Sequence, residues 1–289
     1  IFAGAVHDFI SGMMSLRYGG ASYPEIISRN LGEGVRKFMV VFTLILLIMV
    51  GAVFTSGPAA LLASISPLPL MAWSAIIFIY YICATILPIN VLIGRIYPFF
   101  AALLIFMAVS LTVALFAEGY PILPHVTMDS FFHSTHPQGL GIWPGLFIVI
   151  ACGAISGFHA TQSPMMARCM TNEAQGRKVF YGSMICEGIV GLVGPGPNAV
   201  PAAVIVKNIS VSLLGTFGGI LAILGVVALP VSTGDTAFRS CRMMLADAFH
   251  LDQGPIKNRI LLALPVFVIG IALTFVDFGV IWRYFGWIN

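Results

Sequence analysis

Long runs of apolar residues, interrupted by short polar segments, make up most of this chain. The longest run without Asp, Glu, Lys or Arg extends from Phe38 to Gly94, whereas a helix needs only about 20 predominantly apolar residues to span a bilayer. The pattern predicts an all-α polytopic membrane protein with about seven transmembrane helices. We expect these helices at residues 38–56, 70–92, 96–117, 143–165, 179–196, 211–232 and 260–281.

The same pattern divides a single membrane-embedded domain, residues 1–289, into four parts. Residues 1–37 mix charged and apolar side chains, which predicts an amphipathic or re-entrant start before a main bundle at 38–232. In the segment 235–258, apolar side chains recur at helical spacing up to residue 250, which predicts an amphipathic cytoplasmic helix. The last helix is expected at 260–281.

Composition and charge support the membrane class. Hydrophobic residues make up 59% of the chain and charged residues 9%, against roughly 25% charged residues in soluble domains. The basic residues concentrate in loops on one side of the seven-span arrangement, which predicts that this side is cytoplasmic. No C-x-x-C pair, nucleotide-binding motif or zinc-protease motif occurs, so we expect no cofactor, no metal ion and no nucleic-acid partner.

A polar segment, Ser156–Arg168, interrupts the span predicted at 143–165. Polar groups in lipid are costly unless they line a cavity or find partners. Because Pro164 removes a helical N–H donor, the carbonyl near Ala160 is expected to be free for a ligand or a cation. The alternative is a kink that the hydroxyl groups satisfy internally. The candidate substrate-binding residues are Thr161, Gln162 and Ser163, and the candidate proton carrier is His159.

Two further positions place ionisable groups among apolar residues. His7 and Asp8 are adjacent, and Glu187 is the only acid of its predicted span. A histidine beside a carboxylate titrates near neutral pH, so the pair is either a proton relay or substrate contact, or an interfacial pair that orients a re-entrant segment. Glu187 must titrate or meet a partner, which makes it either a proton carrier or half of a structural ion pair.

The segment Ser232–Thr236 ends another predicted span with hydroxyls, a glycine and an acid. Thr233 is a candidate for binding substrate, and Asp235 is a candidate proton-coupling residue, because such groups suit a cation or a polar substrate. The alternative is that Asp235 caps the helix that follows it or supplies an acid to its first turn.

Four sequence blocks, in this order, resemble the carbon starvation protein A (CstA) family. The closing aromatic residues around Trp282–Trp287 fit the same family. Family members begin with a further membrane segment and carry a longer stretch before Pro201, so the chain is expected to be a fragment or a shortened member. The blocks are Gly4-Ala-Val-His-Asp-Phe9, Ser156–Arg168, Val179-Phe-Tyr-Gly-Ser-Met-Ile-Cys-Glu-Gly188 and Ser232-Thr-Gly-Asp-Thr-Ala-Phe-Arg-Ser240.

The resemblance implies an inner-membrane secondary transporter, not an enzyme, that takes up pyruvate or small peptides by proton symport during carbon starvation. It also suggests kinship with transporters that are built from inverted repeats and broken helices. The expected partners are a small-molecule substrate, protons and the lipid bilayer. The residues expected to carry or sense protons are His159, Glu187, His7, Asp8 and Asp235, and those expected to contact substrate are Gln162, Ser163, Thr161 and Thr233.

Two other classes of function stay open at this point. A nutrient sensor would bind the same substrate without moving it. A membrane-embedded metalloenzyme would use His7, Asp8, His159 and Glu187 as ligands or as acid–base groups, although their spacing in the sequence is not that of a compact metal site.

Overall fold

The architecture comes from a computed structural model that describes residues 2–87, 95–119, 132–133, 142–143, 147, 155–191 and 202–289. Regular secondary structure in these ranges is entirely helical. A 3₁₀ turn, Glu173–Gln175, and a π-helical turn, Arg177–Gly182, precede α7. The α-helices are α1 Phe2–Arg17, α2 Tyr23–Leu31, α3 Glu33–Ile65, α4 Leu70–Ile86, α5 Tyr97–Ala117, α6 Gly157–Ala167, α7 Ser183–Gly191, α8 Ala202–Phe249, α9 Ile256–Leu273 and α10 Phe278–Ile288.

The predicted fold class is confirmed. Four helices in the described residues are long and apolar enough to cross a membrane, namely α3, α5, α8 and α9, and α4 is a shorter apolar helix. They contain or overlap the spans expected at 38–56, 70–92, 96–117, 211–232 and 260–281. Much of 143–165, the end of 179–196 and the short junction before Pro201 lie outside the described residues, so the count of seven stays a prediction.

The last predicted span, 260–281, is divided between two helices. Helix α9 ends at Leu273 and α10 begins at Phe278. Asp277 lies between them, and its side-chain Oδ1 accepts a hydrogen bond from the backbone N of Val280 at 3.1 Å. A carboxylate in this position satisfies an N–H group at the helix start that would otherwise have no partner, so Asp277 begins a new helix.

Helix α8 differs from the expectation of a span followed by a separate amphipathic helix. It consists of two helical segments that meet at a kink at Gly215, whose φ of 68° lies in the left-handed region that favours glycine, and the second segment continues to Phe249. Asp235 therefore lies inside a helix and does not cap one. Arg239 and Arg242, which lie in the segment predicted to be amphipathic, are 1% and 5% exposed.

The core lies where α3, α4, α8 and α9 meet around Phe238. This side chain is 2% exposed, and its ring packs 5.0 Å from that of Phe267 and 5.5 Å from that of Tyr81, centroid to centroid. Gly51 of α3 and Gly270 of α9 face the ring, and a Cβ atom at either position would collide with it. The glycines thus let two helix backbones approach α8 closely, as small residues do in membrane bundles.

A second, smaller group of helices packs at the side of this bundle. Helix α1 packs against α6, the π-helical turn and α7, whereas α6 also contacts α3 and α8. Large apolar side chains are exposed along α5, including Phe99, Ile105 and Val113. Such residues suit a surface that faces lipid.

Replacing Gly51 with Ala should destabilise the protein, because the added methyl group overlaps the ring of Phe238. Overpacking of this kind costs about 1–3 kcal/mol. Thermal unfolding in detergent, followed by circular dichroism, should show a lower midpoint for G51A. The matched control is G34A in the same helix, where a Cβ would meet no atom within 4 Å; equal midpoints for the two variants would contradict the predicted collision.

Candidate functional site

Helix α6 carries the polar segment that the sequence singled out, and the C-terminal residue Asn289 holds its start in place. The side-chain Oδ1 of Asn289 accepts hydrogen bonds from the Ser156 hydroxyl at 2.8 Å and from the Phe158 backbone N at 3.1 Å. The backbone oxygen of Asn289 accepts from Gly157 N at 3.2 Å. Because the first N–H groups of a helix have no partner within it, these bonds fix where α6 begins and how it is oriented.

Four of the predicted proton-coupling residues meet in one cluster, the histidine–carboxylate cluster, formed by His7, Asp8, His159 and Glu187. Nδ1 of His7 lies 2.9 Å from Oδ1 of Asp8, and Nδ1 of His159 lies 3.4 Å from the other oxygen, Oδ2. Nε2 of His159 is 3.7 Å from Oε1 of Glu187. Residues from α1, α6 and α7, far apart in the sequence, therefore place one imidazole between two carboxylates.

Burial differs strongly across the cluster. The side chains of Asp8 and His159 are 13% and 16% exposed, whereas that of Glu187 is 61% exposed. The cluster thus has a largely buried end at Asp8 and His159 and an exposed end at Glu187.

A hydrogen-bonded bridge connects α6 to α8 one turn beyond His159. Nε2 of Gln162 donates to Oγ1 of Thr161 and to Oγ of Ser240, each at 3.1 Å. The Thr161 and Ser163 hydroxyls donate to carbonyls of their own helix, at 2.6 and 3.1 Å. The two hydroxyls thus bond the carbonyls of Phe158 and His159, while the Gln162 amide reaches across to the neighbouring helix.

Asp235 belongs to a different group, the buried arginine cluster, formed by Asp235, Arg239 and Tyr97. Oδ2 of Asp235 accepts a hydrogen bond from the Tyr97 hydroxyl at 3.0 Å, and Oδ1 lies 3.6 Å from Nη2 of Arg239. The same Nη2 donates to the carbonyl of Ala84 at 2.6 Å. Thr233, on the same helix, donates to the carbonyl of Leu229 within α8. The structure thus groups neither Asp235 nor Thr233 with the histidine–carboxylate cluster.

These contacts define what the site can do chemically. An imidazole between two carboxylates can accept a proton and hold it as a charged group, and the Gln162–Ser240 bridge offers donors and acceptors to a polar ligand. Among the residues that the structure describes, no group of three or more His, Cys, Asp or Glu side chains has an arrangement that could hold a metal ion.

Sequence reasoning missed several polar residues of these clusters. Ser240 and Arg239 lie in the fourth family-like block, and Arg239 also lies in the segment predicted to be an amphipathic helix, but neither was a candidate site residue. Tyr97 was noted only as part of the span predicted at 96–117. The pattern of polar residues inside an apolar helix was the available signal for Ser240 and Arg239; nothing in the sequence distinguished Tyr97 from an interfacial aromatic residue.

Sequence comparison with known proteins shows which family this chain belongs to. A sequence model described as "Carbon starvation protein CstA" matches residues 1–72 and 59–195. A Haemophilus influenzae protein named "Uncharacterized membrane protein" is 39% identical over 245 residues, covering 67% of this chain and 65% of its own length. The Escherichia coli pyruvate/proton symporter BtsT is 24% identical over 254 residues, covering 67% of this chain and 35% of its own length.

The Campylobacter jejuni peptide transporter CstA is 25% identical over 280 residues, covering 75% of this chain and 40% of its own length. The chain thus spans about two thirds of the Haemophilus protein and well under half of the two named transporters. The names of these two relatives describe transport and not an enzyme. This multi-pass membrane protein belongs to the carbon starvation protein CstA family.

Proposed function

We propose that the protein takes part in proton-coupled transport of a small carboxylate, pyruvate or a short peptide, across the inner membrane. The observation that carries the proposal is the position of His159 between the carboxylates of Asp8 and Glu187, at 3.4 and 3.7 Å. Charged groups inside membrane proteins are costly and commonly mark proton relays or substrate paths. The names of the relatives, a pyruvate/proton symporter and a peptide transporter, support the same class.

The exposure of its members gives the cluster an order of proton movement. Glu187 is the most exposed member, whereas Asp8 and His159 are nearly buried, so a proton from water would reach Glu187 first and then the Nε2 atom of His159. Protonated His159 would be stabilised by Asp8 on its Nδ1 side. Release of the proton would require His159 to move away from at least one carboxylate, because each carboxylate favours the charged imidazolium.

The Gln162–Ser240 bridge is the proposed substrate contact nearest to this proton site. Gln162 lies three residues after His159 on α6, and residues with this spacing lie on the same face of a helix. A polar ligand that took up the hydrogen bonds of Gln162 or Ser240 would therefore lie close to the imidazole. Coupling then follows from geometry, since the ligand and the proton would occupy adjacent positions on one helix.

Replacing His159 with Gln should abolish proton-driven uptake while keeping a polar side chain of similar reach. Uptake of labelled pyruvate and of dialanine into proteoliposomes is expected to fall by at least about tenfold under an inward proton gradient, as expected for loss of an essential proton carrier. H133Q removes an exposed loop histidine and should leave uptake unchanged. Full gradient-driven uptake by H159Q would remove His159 from the proton path.

Replacing Ser240 with Ala should weaken substrate binding while leaving the response to the proton gradient intact. Removing one partner of a buried hydrogen bond costs about 1–3 kcal/mol, so the KM for uptake should rise about fivefold or more. The matched control is S110A on α5, where the hydroxyl bonds a carbonyl of its own helix. An unchanged KM in S240A, or a lost gradient response, would contradict the assigned role.

A further inference from the structure

The ion pair of Arg168 and Asp247 lies where two open spaces of the protein adjoin, because Asp247 lines both spaces and Arg168 lines the inner one. The inner pocket, lined by Thr161 and Ser240 among others, has a free volume of about 30 Å³, which is room for one or two water molecules. The outer cleft, between α2 and the end of α8, has a volume of about 680 Å³. Ser22 and Asp247 line both spaces, so these two residues form the partition between the outer cleft and the inner pocket.

Two contacts hold the Arg168 side chain at this partition. Its Nη2 donates to Oδ2 of Asp247 at 2.8 Å, and its Nε donates to the carbonyl of Gly20 at 2.7 Å. Gly20 has a φ of 84°, and a Cβ atom there would lie 2.8 Å from Cγ of Arg168. The turn between α1 and α2 therefore needs a glycine both for its conformation and to leave space for the arginine stem.

The Arg168–Asp247 pair is suited to exchange. The two side chains are 28% and 35% exposed, and partly solvated ion pairs contribute little net stability because water competes for both charges. The guanidinium group binds planar carboxylates well, with two parallel hydrogen bonds where geometry permits. A carboxylate that enters the outer cleft could thus replace Asp247 at small cost.

The two arginines that line the outer cleft, Arg29 and Arg36, each bond an acidic residue three or four positions away in the sequence. Nη2 of Arg29 donates to Glu25 at 3.0 Å, and Nη1 of Arg36 donates to Glu33 at 3.0 Å. Of the described residues that line the inner pocket, Arg168 is the one with a basic side chain. It is therefore the positive charge that a ligand would meet on moving from the cleft toward Ser240.

We propose that Arg168 is the carboxylate-binding residue of the substrate path, and that Asp247 occupies it until a ligand carboxylate takes its place. The proposal rests on the proposed function, since it assigns the recognition of the transported carboxylate. Pyruvate and the C-terminus of a peptide present the same group. Asp247 acts as an internal competitor, and its displacement opens the partition between the outer cleft and the inner pocket.

The test is the binding of pyruvate and of dialanine to the purified full chain by calorimetric titration. D247N removes the competing charge while conserving side-chain shape, so affinity should rise about tenfold. R168Q removes the binding group, so affinity should fall about tenfold or more, and R168K should lie between R168Q and the wild type because ammonium keeps the charge without the planar fork. E25Q, which alters another acid of the same cleft, should bind as the wild type does.

The sign of the D247N effect separates recognition from a structural role. If the pair only ties α6 to α8, D247N should weaken binding as R168Q does, and that result would overturn the proposal. It would also be overturned if neither ligand binds the wild-type chain, or if R168Q binds both normally. A response with one ligand alone supports the site and identifies the source of the carboxylate. If R168Q fails to fold, the affinity of D247N alone tests the proposal, which requires it to exceed that of the wild type.

Uptake into proteoliposomes distinguishes failure of this site from failure of the proposed function. If the variants show the expected binding pattern but the vesicles take up neither ligand, the carboxylate site is supported and the transport proposal fails. If R168Q takes up the ligands with normal affinity, the transport proposal is supported and Arg168 does not recognise the carboxylate.

Discussion

The cost of placing charged and polar groups inside an apolar helical bundle is the constraint on which this structure depends. A buried charge must have a partner or change its protonation state. Arg239 meets this requirement through the carbonyl of Ala84 and the nearby carboxylate of Asp235. His159 meets it differently, because its partners Asp8 and Glu187 are themselves ionisable. The first arrangement fastens helices together, whereas the second can gain or lose a proton.

The two clusters lie on different helices, α8 and α6, which the Gln162–Ser240 hydrogen bond connects. Helix α8 is held against α3 and α9 by the glycines that face Phe238, and the same helix carries the arginine cluster and Ser240. Helix α6 carries His159 and Gln162, and it meets α8 through the Gln162–Ser240 hydrogen bond. Movement of α6 would therefore change the Gln162–Ser240 contact with α8 and the His159 contacts with α1 and α7. Under the proposed function, this link between the two contacts would couple substrate to proton.

Much of the fold and part of the site could be predicted from the sequence, for physical reasons that differ between elements. Apolar length located α3 and α5, because a span needs a minimum length whatever its surroundings. Polar residues in apolar segments identified His159 and Glu187, because such groups are costly without a role. Helical periodicity predicted an amphipathic helix around Arg239, but periodicity cannot tell a water-facing arginine from one that bonds the end of a neighbouring helix. The break at Asp277 depended on a local cap that apolar length does not record.

The most direct test of the central claim, that ligand and proton move together, is the pH inside proteoliposomes when substrate is added outside with no initial proton gradient. A pH-sensitive dye in the lumen would report proton entry, with protein-free vesicles as the control for passive movement of the acid. We expect the lumen to acidify as labelled pyruvate or dialanine accumulates, and H159Q vesicles to show neither change. Accumulation of substrate at constant internal pH would contradict it.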